Sequence, residues 1–246
     1  MDICKEAIRQ ILLPLKETEE GRGSKVEEDH ETGMIRIAPD YLRILQDNFN
    51  PEAYHEAGEE YLGRYLPMQS PGTIELYGSQ LSKFFWFIVG QLQSTGHSFW
   101  KSDLEGLAHL TVYKTWFHEH FHLFSDIQSH LIQSSSGSRS RILEEALATA
   151  YSYRQIMRER GKWQTVIGRI HASIFSPFLR IAVDYRSPGY RDWSRYDDDV
   201  SFTNGLVIHF APVRASWLES NGVPVGEMLV AQLETIFAVR KREVLI

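Results

Sequence analysis

Apolar positions along the chain recur mostly at helical spacing, with strand-like alternation confined to short pieces. In "MDICKEAIRQILLPLKE", Asp2, Lys5, Glu6 and Arg9 break the apolar residues as they do in an amphipathic helix. "MIRIAP" (Met34 to Pro39) alternates and predicts a short strand, and "PGTIELYG" (Pro71 to Gly78), flanked by turn residues, predicts a second. Between them, "NPEAYHEAGEEYLGRYL" predicts a helix capped by Asn50 with Pro51 at its first position. From Ser79 to about Gln93 the spacing is helical again, and Phe84, Phe85, Trp86 and Phe87 make that helix too aromatic for a surface. "STGHS" ends it, and a long helix is expected from about Asp103 to Gln133.

Past the small-residue loop "SSSGSRS" (Ser134 to Ser140), "RILEEALATAYSYRQIMRERG" predicts a second long helix that stops at Gly161. "WQTVIGRIHASIFSPFLRIAVDYR" predicts helix interrupted near Pro177. The turn-rich "SPGYRDWSRYDDD", the alternating apolar run "GLVIHFAPV" and a C-terminal helix from about Val225 to Arg242 complete the chain. The expected class is α+β and predominantly α-helical, with a small sheet near the N-terminal half.

Composition narrows the function. With 246 residues, 43% of them hydrophobic, the chain can bury a full core, and a single domain over residues 1–246 is expected. The acidic stretch 17–33, "ETEEGRGSKVEEDHETG", is expected to be a flexible surface loop. A net charge of −6 opposes nucleic-acid binding, which requires concentrated Lys and Arg, and "RKR" at Arg240 to Arg242 suits the end of a helix. The only cysteine, Cys4, rules out an intramolecular disulfide and a Cys-rich zinc knuckle, and fits a reducing compartment. No secretory signal is apparent, and the most apolar window, "FFWFIVGQL", is about half the length needed to cross a bilayer. A cytoplasmic protein with no membrane partner is expected.

One stretch carries chemistry. "TWFHEHFHLFSD" (Thr115 to Asp126) contains His118-Glu119-His120-Phe121-His122, the H-E-x-x-H spacing. On a helix of about 3.6 residues per turn, residues four apart share a face, so His118 and His122 can bind one ion while Glu119 flanks it as general base and then acid. Leu107, Leu110, Phe117, Phe121 and Phe124 form one apolar face, and Thr111, Thr115, His118, His122 and Asp126 form another. Asp126 is placed to hydrogen-bond a ligand imidazole and fix its tautomer. His120 points away from the pair. A hydrolytic zinc site also needs a third protein ligand and an open fourth position, and Glu144 and Glu145, just over twenty residues on, are the candidates.

With these residues, His118 to about Arg154 resembles the gluzincin branch of the HExxH zinc metallopeptidases (zincins). There the ligand glutamate lies on the next helix among small residues, as "EEALATA" does here. The resemblance implies a zincin-like fold with a central HExxH helix, a metal-binding helix pair over 103–160, and Zn2+ held by His118, His122 and Glu145, with Glu144 as the alternative ligand. It implies hydrolysis of a peptide or other amide bond, with a peptide or protein as substrate. Thr149 stands where thermolysin-like enzymes place an aspartate, and no glycine and third histidine follow in the metzincin manner, so the likeness is a divergent one. For the oxyanion, Tyr190 is the candidate, with Arg191, Tyr196 and His209 behind it. Two rival readings use the same residues. One is a di-iron carboxylate oxidoreductase built on Glu119-x-x-His122 and Glu52-x-x-His55 with Glu144 or Glu145, and the other is a non-catalytic zincin-like interaction protein.

Overall fold

A computed structural model describes residues 3–19, 25–29, 31–47, 49, 62–67, 72–131, 140–166, 170–184, 190–210 and 226–235. The elements in order are α1 (Ile3–Glu19), β1 (Val26–Glu28), β2 (Met34–Ile37), α2 (Pro39–Gln46), β3 (Gly63–Leu66), β4 (Thr73–Leu76), α3 (Gly78–Ser94), β5 (Phe99–Trp100), α4 (Lys101–Leu131), α5 (Arg141–Val166), α6 (Ala172–Val183), a 3-10 helix (Tyr190–Tyr196) and α7 (Asp199–Phe210). Residues 226–235 are also helical. The chain is thus predominantly helical with little sheet. Among the described residues, no helix is long and apolar enough to cross a membrane.

The chain divides into two compact units. The first comprises Met1–Gly63, Leu76–Thr115 and Ile156–Tyr185, and the second Arg64–Glu75, Trp116–Gln155 and Arg186–Ile246. In the first unit α1, α2 and α6 pack on α3, whose Phe84, Phe85, Trp86, Ile88, Val89 and Leu92 are buried as its aromatic content predicts. Trp86 also needs a partner for its indole N–H, which donates to the Ile11 carbonyl at 3.2 Å. β1, β2 and β5 form an antiparallel sheet in the order β1-β2-β5, with Ile35 and Ile37 of β2 buried.

β1 lies inside the stretch 17–33 expected to be a loop. Two of its three residues, Glu27 and Glu28, are polar and exposed, which suits the edge of a sheet, and Glu27 stands opposite Arg36 of β2 as an opposite-charge pair. Gly33, at φ +67, supplies the left-handed turn between the two strands. Residues 17–19 end α1.

In the second unit, β3 and β4 form a two-stranded sheet, with Arg64 bridging to Glu75 at 2.9 Å. "GRYL" is therefore strand rather than the tail of a helix; the helix expected from Asn50, including Glu52 and His55, lies outside the described residues. The core of this unit is aromatic. Phe121 and Phe124 of α4, Tyr151 of α5, and Phe202 and Phe210 of α7 meet with ring centroids 5.8–6.3 Å apart. Burying each such ring contributes about 1.5–3 kcal/mol.

Further expectations are corrected here. α5 continues through Gly161 to Val166, because a glycine stops a helix only where its backbone turns left-handed, and among the described residues the positive-φ glycines are Gly33 and Gly96. Pro177 lies within α6 without interrupting it, since Phe175, Phe178, Leu179, Ala182 and Val183 bury a full face and packing outweighs the local cost. "GLVIHF" ends a helix, α7. Asp198 starts that helix by accepting the backbone N–H groups of Val200 and Ser201, both at 2.9 Å. Those N–H groups, Ser201's foremost, hold the Asp198 carboxyl below its usual range. The loop 134–139 and "RKR" at 240–242 lie outside the described residues.

Candidate metal centre

Two helices of the second unit build the site. α4 runs unbroken through the HExxH stretch, so His118 and His122 sit one turn apart on one face, with Nε2 atoms 3.2 Å from each other. α5 begins where the Ser140 hydroxyl accepts the Leu143 N–H, which puts Glu144 and Glu145 near its start, where the helix dipole favours carboxylates. Successive helical residues diverge by about 100° around the axis, so the two glutamates go to different places. Glu145 Oε2 lies 3.1 Å from His118 Nε2 and 3.5 Å from His122 Nε2, which closes a three-atom cluster suited to a metal ion. Glu144 Oε1 instead meets His122 Nδ1, the far side of the ring, at 2.9 Å.

The dimensions fit a small cation. Donors about 2.05 Å from a tetrahedral zinc stand roughly 3.3 Å from each other, and this triangle has edges of 3.1, 3.2 and 3.5 Å. Two imidazole nitrogens and one carboxylate are also the donor set of a hydrolytic zinc site. The charges agree. Glu119 is buried, and it joins Glu144 and Glu145 in surrounding His122 with negative charge. Burial by itself disfavours the His122 cation, yet the hydrogen bonds to Glu144 and Glu145 and the charges of Glu145 and Glu119 raise its pKa well above the ordinary value. Burial likewise pushes Glu145 up, and the two histidines override it and hold the carboxyl far below the usual range. Glu144 is lowered for the same reason, with His122 and then His209 opposing burial. Three carboxylates around two imidazoles make a pocket that attracts positive charge.

The ring nitrogens that face away from the cluster are also held. His118 Nδ1 has the Thr149 hydroxyl at 3.4 Å, so a neutral group rather than a carboxylate faces that side of the ring. Asp126, expected to hydrogen-bond an imidazole of the pair, is placed against β3. It accepts a 2.6 Å hydrogen bond from the Tyr65 hydroxyl of β3, while both nitrogens of His122 are engaged elsewhere. His120 is fully buried and stacks on Trp116 at 5.1 Å, away from the cluster. His209 is buried, with Nε2 2.9 Å from Ser125 Oγ and 3.8 Å from Glu144 Oε2.

Among the other oxyanion candidates, Arg191 is exposed and Tyr196 packs against Gly205, where a Cβ would stand 2.8 Å from its ring. Tyr190 opens the 3-10 helix, and its side chain lies outside the described residues. Tyr65 and Ser125 are not among the residues that the sequence singles out. Tyr65 had no signal, because its bond spans 61 positions between a strand and a helix. Ser125 had a weak one, three residues after His122 on the next turn. Compared with protein-family models, curated proteins and solved structures, the chain matches none.

Proposed function

We propose that this chain is a zinc-dependent hydrolase of the HExxH type, with a zincin-like, gluzincin-type helix pair, cleaving a peptide or other amide bond in the cytoplasm. The observation that carries the reading is the triangle of His118 Nε2, His122 Nε2 and Glu145 Oε2 at tetrahedral-shell spacing, with a buried Glu119 beside it. These three residues hold the ion. Bound there, zinc supplies a Lewis acid that makes water more acidic and polarises a carbonyl. Glu119 takes a proton from the water that attacks the carbonyl carbon and returns it to the amide nitrogen as the C–N bond breaks. Glu144 is assigned to orienting His122 rather than to binding the ion, because it meets Nδ1 and leaves Nε2 to the ligand cluster.

The test is metal analysis of the purified chain followed by turnover of a peptide library. About one zinc per chain is expected, and Glu119→Gln should keep the zinc while cleavage falls by roughly 10²–10⁴-fold. Two irons per chain would point to the oxidoreductase. Failure to bind zinc at all, with melting unchanged on its addition, would end the metal reading.

A further inference from the structure

The use of a histidine at position 209 is not explained by packing alone. Its side chain is fully buried, beside Phe210 with centroids 4.7 Å apart and in a unit whose core is aromatic. A phenylalanine or leucine would fill such a space without burying polar nitrogens, which is costly unless they are partnered. What the imidazole adds is a polar edge turned toward Ser125 and Glu144: Nε2 is 2.9 Å from Ser125 Oγ and 3.8 Å from Glu144 Oε2. Glu144 thus has one oxygen on His122 Nδ1 and the other facing α7.

We infer that His209, fixed by Ser125, is a positioning residue of the metal centre: it holds the Glu144 carboxylate so that Glu144 in turn holds the His122 ring with Nε2 on the ion. This rests on the zinc reading above. Three elements converge on the arrangement, since His122 and Ser125 come from adjacent turns of α4, Glu144 from the start of α5 and His209 from the last turn of α7. With its proton on Nε2, the imidazole has the Ser125 oxygen at hydrogen-bond distance and turns the positive end of the same N–H edge toward the Glu144 oxygen 3.8 Å away. Without it, the second Glu144 oxygen loses the polar edge that faces it from α7. The carboxylate is part-exposed, with 22% of its side-chain surface open, and is then free to swing to water and release His122.

The test uses the full chain, with zinc and cobalt as probes. His209→Phe, which keeps the ring volume, should weaken zinc binding about 10–100-fold, the usual effect of losing such an outer partner. The visible spectrum of the cobalt-loaded protein should also change as the His122 ring rotates. His209→Gln, which retains a donor, should recover most of the affinity and the wild-type spectrum, and Ser125→Ala should give a smaller loss in the same direction. A merely structural histidine moves the melting temperature of the metal-free protein but leaves affinity and spectrum alone, and that result in His209→Phe overturns the inference. If His209→Phe does not fold, an unchanged affinity and spectrum in Ser125→Ala overturns it instead. A wild-type chain that takes up neither metal ends the zinc reading itself, which separates that failure from this one.

Discussion

α4 contains two stretches that contrast in how they satisfy buried polar groups. Between Lys101 and Thr115, in the first unit, Asp103, Thr111 and Thr115 are buried and are partnered by backbone. Asp103 accepts the N–H groups of Trp100 and His171 at 3.0 and 2.8 Å, and the two threonines donate to the Leu107 and Thr111 carbonyls one turn back. Between Trp116 and Leu131, in the second unit, His118, His122, Ser125 and Asp126 are partnered by side chains distant in sequence: Glu145, Glu144, His209 and Tyr65. Backbone partners make a polar group part of the scaffold. Ionisable groups buried together cost folding free energy that a scaffold does not require, and this stretch draws its partners from several elements.

The largest expected difference between the two stretches is in their response to metal. Zinc at about a thousand times its Kd should stabilise the wild-type chain by about 4 kcal/mol, seen as a rise in melting temperature that a chelator reverses. Glu145→Gln, which removes the charged corner of the triangle, should abolish most of that rise. A Glu145→Gln protein with the full zinc-induced rise would show that Glu145 is not a ligand.

The next effect lies in the first stretch and should be blind to metal. Asp103→Ala leaves two backbone N–H groups without their acceptor, and a loss of roughly 1–3 kcal/mol in unfolding free energy is expected, equal with and without zinc. Denaturant titrations in both states check it. Zinc stoichiometry that fell with this substitution would mean that the two stretches are not independent. A comparable test within the second unit is Gly205→Ala, whose new Cβ would stand 2.7 Å from Leu147 Cδ2 and 2.8 Å from the Tyr196 ring. Overpacking of about 1–3 kcal/mol is expected there, again by denaturant titration.

Much of the contrast was legible in the spacing of residues. The four-residue interval between His118 and His122, the apolar face through Phe117, Phe121 and Phe124, and the aromatic density of α3 are local patterns, and local patterns survive folding. What could not be read depends on partners far away. Glu144 and Glu145 are neighbours in sequence, and only the rotation of α5 against α4 sends one to Nδ1 and the other to Nε2. Asp126 stands on the stripe that helical spacing gives it, but its Tyr65 partner comes from β3, a strand formed by pairing rather than by propensity. α7 was hidden by Val207 and Ile208, which are exposed β-branched residues in an apparent alternation. The helical signal was the spacing of Phe202, Leu206, His209 and Phe210 after the Asp198 cap.

The smallest expected effect gives the sharpest form of the comparison, because it uses the same substitution in both stretches. Thr115 and Thr149 are each buried, but the Thr115 hydroxyl donates to a carbonyl of its own helix, whereas the Thr149 hydroxyl lies 3.4 Å from His118 Nδ1. Valine keeps the shape of either side chain and removes the hydroxyl. Thr115→Val should leave zinc affinity unchanged and shift stability by no more than about 1 kcal/mol, since its carbonyl partner stays bonded within the helix. Thr149→Val should change the stability of the metal-free chain as little, yet weaken zinc binding roughly three- to tenfold, the low end for an outer partner because the contact is long and uncharged. Competition titration with a chromophoric chelator resolves that difference. Equal zinc affinities for the two variants would show that the Thr149 hydroxyl, like that of Thr115, belongs to the scaffold.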